Sequence, residues 1–147
     1  MKNTTSTTKR QSAPVPHLYE ATTRGIRIRV TPEFLEHESA PDEGRYLWAY
    51  TIDIRNEGSQ SVQLRSRHWR ITDALGRTQD VRGAGVVGQT PVLAPGASFR
   101  YTSGCPLPTP SGIMAGSYEM TSAEGEHFQV TIPTFSLDSP HTSRSVN

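Results

Sequence analysis

The chain has 147 residues, of which 33% are apolar, 7% aromatic and 20% charged, a length that suits one domain because two would each be too small to bury a core. Residues 18–138 carry 11 Arg, no Lys and all 14 Asp and Glu, while Lys2, Lys9, Arg10 and Arg144 sit in the tails; the folded part is therefore not basic, which argues against a specific nucleic-acid partner. No run approaches the ~18 consecutive apolar residues of a membrane span, and the start lacks the apolar middle of a secretory signal, so a cytoplasmic protein without membrane insertion is expected.

Residues 1–17, mostly Thr, Ser, Lys, Arg, Gln and Pro, hold too few apolar groups to offset the entropy of ordering them and are expected to form a flexible tail. The domain is expected over 18–138, with the chain from Ser136 onward resembling the first tail and a flexible end over 139–147. Between the tails the apolar residues recur at every second position, which places them on one face of extended chain.

The first predicted strand is Ile26 to Val30, with Ile26, Ile28 and Val30 inward and Arg27 and Arg29 outward; it ends near Pro32, which has no N–H for a ladder. Residues 36–44 are too acidic for a core and read as a surface loop around Pro41. The next strand, Tyr46 to Arg55, directs Trp48, Tyr50, Ile52 and Ile54 inward and stops at the turn Asn56-Glu57-Gly58-Ser59, from which a hairpin is expected. Val62 and Leu64 then point inward, but Trp69 and Ile71 have the opposite parity. One residue must be absorbed, so a β-bulge is predicted between Arg65 and His68.

Asp73-Ala74-Leu75-Gly76 turns the chain into a short strand, Thr78 to Val81, and Leu93-Ala94-Pro95-Gly96 is a turn with Gly where positive φ is tolerated. Phe99 and Tyr101 alternate, then Tyr118 and Met120, and after the turn Glu124-Gly125-Glu126, Phe128, Val130 and Ile132. Seven or eight short strands with turns every ~8–12 residues predict an all-β fold, an immunoglobulin-like or fibronectin type III-like two-sheet β-sandwich. A closed barrel has the same periodicity and is the alternative.

Several blocks in one order carry a resemblance: Trp48-Ala49-Tyr50-Thr51, Arg67-His68-Trp69-Arg70-Ile71-Thr72-Asp73, Val81-Arg82-Gly83-Ala84-Gly85-Val86-Val87-Gly88, Leu93-Ala94-Pro95-Gly96, Tyr101-Thr102-Ser103-Gly104, Gly116-Ser117-Tyr118-Glu119-Met120 and Ile132-Pro133-Thr134-Phe135. Over about residues 20–138 the chain resembles the ApaG family. The resemblance implies a fibronectin type III-like sandwich, a genetic link to cobalt tolerance and magnesium efflux, and no established catalytic residue. It also implies a domain similar to parts of an F-box protein and a polymerase-delta-interacting protein, contexts of protein interaction.

Gly83-Ala84-Gly85-Val86-Val87-Gly88 fits G-x-G-x-x-G, yet Pro91 and Pro95 follow where a dinucleotide fold needs a helix. Arg82, Gly83, Gly85 and Gly88 are retained as an alternative site for phosphate, pyrophosphate or a nucleotide, in which backbone N–H groups would form a nest. His37, His68 and His127 lie on three separate segments without metal-ligand spacing, so no metal or other cofactor is assigned, and direct divalent-cation binding stays a further alternative. Cys105 is the only cysteine and excludes an internal disulfide; neither it nor Ser98, Thr102 or Ser103 sits in a nucleophile pattern, so no catalytic residue is assigned and an enzyme is not expected. Arg65, Arg67, His68 and Arg70, with Trp69 among them, are the candidate residues for an unidentified protein partner, because Arg and aromatic side chains are favoured at interface centres. Open sheet edges offer a second route, to a partner or to a homodimer.

Overall fold

The computed structural model describes residues 18–142, so the tail expected over residues 1–17 and the end of the chain, 143–147, lie outside the described residues. Among the described residues nine strands form: β1 (Tyr19–Thr23), β2 (Ile26–Phe34), β3 (Tyr46–Asn56), β4 (Val62–Asp73), β5 (Thr78–Ala84), β6 (Val92–Leu93), β7 (Ser98–Leu107), β8 (Gly112–Ser122) and β9 (His127–Leu137), with one 3-10 turn over Pro41–Glu43. One antiparallel sheet has the order β1-β2-β3-β7; the other has β5-β4-β8-β9, with β6 also on β4. Two open sheets face one another, which selects the sandwich over the barrel.

Period-two burial accounts for the stacking. Ile26, Ile28 and Val30 of β2 and Trp48, Ile52 and Ile54 of β3 meet Met114, Tyr118 and Met120 of β8 and Val130 and Ile132 of β9, each no more than 1% exposed. The predicted bulge is present: Leu64 pairs with Met120 but Ser66 with Glu119, so Arg65 is the extra residue that restores Trp69 to the inner face. A second bulge lies in β9, where Met114 pairs with Phe135 and Gly116 with Ile132, leaving Pro133 and Thr134 opposite Ala115. There Pro133 withholds no ladder donor, and Phe135 and Leu137 return to the core, 1% and 0% exposed.

Four expectations are corrected. The strand that starts at Ile26 does not end near Pro32 but runs to Phe34; among the described residues β1 pairs β2 only as far as Val30, so Pro32 has one neighbouring strand there and its missing N–H is tolerated. β1 itself was not foreseen, and it joins β2 through Arg24 and Gly25 at φ 48° and 81°, the left-handed pair of a tight hairpin turn. The turn after Asn56 is not a hairpin: β3 and β4 belong to different sheets, and the buried Asn56 side chain stitches the corner by donating to Gln60 O (2.7 Å) and Leu93 O (2.9 Å) and accepting from Gly58 N (2.9 Å). The chain beyond Ser136 is not all tail, since Leu137 is core, Ser139 Oγ donates to Pro110 O (2.7 Å), and the His141 ring lies 3.1 Å from the Glu36 carboxylate and packs on Phe34.

The two sides of the sandwich differ. Along one, β9 packs against β1 and β2. Along the other, the edge strands β5 and β7, which like β1 and β9 have a single hydrogen-bonded neighbour among the described residues, leave a groove between them.

Candidate functional site

After the Arg65 bulge, β4 presents Arg67, Trp69 and Ile71 to the interior, because alternate residues of a strand share a face. Arg67 therefore points between the sheets at the open side. Its cross-strand partners are Gly83 of β5 and Tyr118 of β8. Facing it from the other sheet are Tyr50 of β3 with Ser103 of β7 beside it, then Ile52 with Tyr101.

Gly83 makes room for the guanidinium. A Cβ at that position would stand 2.8 Å from both Nη1 and Nη2 of Arg67, so glycine leaves the surface on which the planar group rests. Nη1 donates to the carbonyls of Ala84 (3.0 Å) and Gly85 (2.9 Å), and among the described residues Nη2 and Nε have no hydrogen-bond acceptor and no carboxylate pairs with Arg67.

The walls of the groove are neutral. Tyr101 and Tyr118 share a hydrogen bond of 2.5 Å between their hydroxyls, and burial pushes both phenols well above the usual tyrosine range and raises that of Tyr50. Burial likewise pushes the Cys105 thiol up to about 11, which keeps it protonated and makes it a poor nucleophile. Two adjoining hollows of about 310 and 270 Å³ share Tyr50, Arg67, Trp69 and Ser103; the first is closed by Val86 to Gly88, the second by apolar groups that include Ile71, Val81 and Met114.

The glycine run forms a strand end and a tight turn. Gly83 and Ala84 finish β5, and Val86 and Gln89 exchange backbone hydrogen bonds of 2.8 Å around Val87 and Gly88. No helix follows. The N–H groups of Gly85, Val86 and Gln89 are all donated to backbone carbonyls, while the carbonyls of Ala84 and Gly85 face Arg67. Arg82 lies exposed on β5 opposite His68, and a shallow hollow of about 230 Å³ that it shares with His68, Ser117 and Glu119 also touches Arg67. Val87, 52% exposed, has φ 41°, a conformation that a β-branched side chain rarely adopts.

The four residues grouped as a partner patch are separated by the fold. Arg67 enters the groove. His68 and Arg70 point to the outer face, where His68 Nε2 lies 2.9 Å and Arg70 Nε 3.6 Å from Asp80 Oδ1, and these contacts, led by that of His68, hold the Asp80 carboxyl below its usual range. Arg65, exposed at the bulge, donates to Thr121 Oγ1 at 3.0 Å. His37 is exposed, His127 lies 3.3 Å from Glu119, and no three His, Cys, Asp or Glu side chains among the described residues are placed to share an ion. Sequence reasoning missed Tyr50, Tyr101 and Tyr118 as site residues; the parity that aligns Arg67 with Trp69 and Ile71 was the available signal.

A hollow of about 380 Å³ at one end of the sandwich also contains an arginine, Arg24. It is held by Glu126 through two hydrogen bonds of 3.0 and 2.9 Å and stands 4.5 Å over the Phe128 ring, so its charge is already matched. Arg67 differs in lacking a counter-charge.

Residues 36–122 match the model of the ApaG domain family. The chain is 63% identical over 127 residues to Protein ApaG of Methylobacterium sp. (strain 4-46), covering 86% of this chain and 98% of that protein. It is 62% identical over 130 residues to Protein ApaG of Methylorubrum populi, covering 88% and 100%. Among solved structures, a Bordetella pertussis crystal structure named for ApaA superposes with a TM-score of 0.76 at 48% identity, over 88% of this chain and all of that one (100%).

Proposed function

The chain belongs to the ApaG family, and from that premise we propose that it is a non-enzymatic cytoplasmic module that binds an extended segment of a protein partner in the groove between β5 and β7. One observation carries the reading: two strand edges, each with a single neighbour, flank a groove whose neutral aromatic walls hold one cation without a counter-charge. Free edges supply backbone donors and acceptors to an added strand, and Arg, Tyr and Trp are the side chains that dominate interface energetics. The raised thiol of Cys105, a poor nucleophile, argues for binding over chemistry at this groove. In this reading any effect of the family on cobalt tolerance or magnesium efflux passes through the partner.

The test is affinity capture from the native cell with three forms of the intact chain. Ser103→Trp fills the groove; Arg29→Ala changes the closed half, where Arg29 pairs with Glu20 at 2.9 Å. The same proteins should be retained by the wild type and Arg29→Ala and lost by Ser103→Trp. Equal capture by a folded Ser103→Trp protein would sink the proposal.

A further inference from the structure

We propose that the groove recognises the free C-terminus of the partner segment, with the terminal carboxylate on Arg67 and an apolar last side chain in the hollow beside Trp69. The inference rests on the docking reading above and narrows it to one ligand chemistry.

A guanidinium withdrawn from water is costly unless hydrogen-bonded and paired. Arg67 is half-buried, Nη1 is engaged by two carbonyls, and Nη2 and Nε are left over. Among the described residues no carboxylate pairs with it, although Glu119 touches a shallow hollow that Arg67 also lines. The carboxylates on the strands that bound the groove are engaged elsewhere or face away: Asp73 pairs with Arg77 (2.8 Å), Asp80 with His68 and Arg70, Glu119 with His127, and Asp53 lies on the outer face of its sheet opposite Arg100. β7 has no acidic residue, and the groove's phenols and thiol are protonated. An incoming carboxylate would meet the two free donors of a planar fork, the arrangement that suits it best.

Shape selects the rest of the ligand. Arg67 lies where the two hollows join, and the second is walled by Trp69, Ile71, Val81 and Met114, room of about 270 Å³ for one apolar side chain. The β7 edge runs alongside with its outer ladder unpaired, so a chain whose end sits on Arg67 can extend as an added strand. An internal Asp or Glu would have to bring chain past Arg67 on both sides, where the Val86 to Gly88 turn stands. Val87 reaches that rim at positive φ, the strained and exposed kind of position that accumulates at ligand clamps.

The test uses the full chain and an array of hexapeptides. The peptides end in each of the twenty residues as free acids, as matched amides, and as amides with an internal Asp or Glu; hits are titrated by NMR up to millimolar peptide. Free acids with an apolar last residue should bind, and their amides should bind at least ~10-fold more weakly. Arg67→Gln, which keeps donors for Ala84 O and Gly85 O, should weaken the free acids by a similar factor, and Arg67→Lys, which keeps the charge without the fork, by less. Should Arg67→Gln fail to fold, the Lys variant and the amide comparison decide. Equal binding of acids and amides, undiminished binding by folded Arg67→Gln, or no free acid above its amide overturns the inference. If internal-acid amides bind and free acids do not, docking in the groove survives while C-terminal recognition falls; if Ser103→Trp captures partners normally, docking itself falls.

Discussion

The two long sides of the sandwich are built from the same kinds of strand and solve opposite problems. On the closed side β9 packs against β1 and β2, and Phe135 meets Tyr19 (ring centroids 6.0 Å apart), Tyr50 (6.0 Å) and Trp69 (5.9 Å) in tilted and edge-on contacts. Polar groups there are tied to the strands, as when Trp48 Nε1 donates to Asp138 O at 2.7 Å. On the open side β5 and β7 do not meet, an arginine faces inward without an acid, and a valine holds a positive φ. The first arrangement favours burial; the second leaves strand edges and two Arg67 donors available, a division expected where function and folding compete for the same residues.

Substitutions on the two sides have graded effects. Phe135→Ala removes the ring that joins the closed side to Trp69, and a loss of ~3–5 kcal/mol is expected in denaturant unfolding; a loss under ~1 kcal/mol would mean that the closed side does not carry the fold. Tyr118→Phe leaves the Tyr101 hydroxyl without its 2.5 Å partner and should cost ~1–2 kcal/mol. The double variant Tyr101→Phe/Tyr118→Phe should cost less than the two single changes together, because removing both hydroxyls leaves neither buried and unsatisfied. Additive costs in that cycle would show that the pair is not coupled. The smallest effect carries the opposite sign. Val87→Gly relieves a β-branched residue at φ 41° but frees the unfolded chain, for a net gain of about 1 kcal/mol or less, read as a higher melting temperature. A destabilised Val87→Gly protein would remove strain from the account of the rim.

Much of this was legible along the chain. The alternation of Ile26, Ile28 and Val30, the parity change between Leu64 and Trp69 that requires a bulge, and glycines at positive φ at positions 76, 96 and 125 all follow from local sterics. A parity change of the same kind between Ile132 and Phe135 marked the β9 bulge and passed unread. β1 was hidden because Tyr19, Ala21 and Thr23 are only partly buried and alternate weakly.

What the sequence determined by itself was the β class, the inward and outward faces and most of the turns, because pleat and turn chemistry act between near neighbours. Only tertiary structure decided that β3 and β4 part into different sheets at Asn56, that Arg67 leaves His68 and Arg70 to join Tyr50, Tyr101 and Tyr118, and that one side of the sandwich stays open. Those facts depend on which strands pair across the fold, and pairing is settled by the summed packing of both layers, which no local stretch of chain encodes.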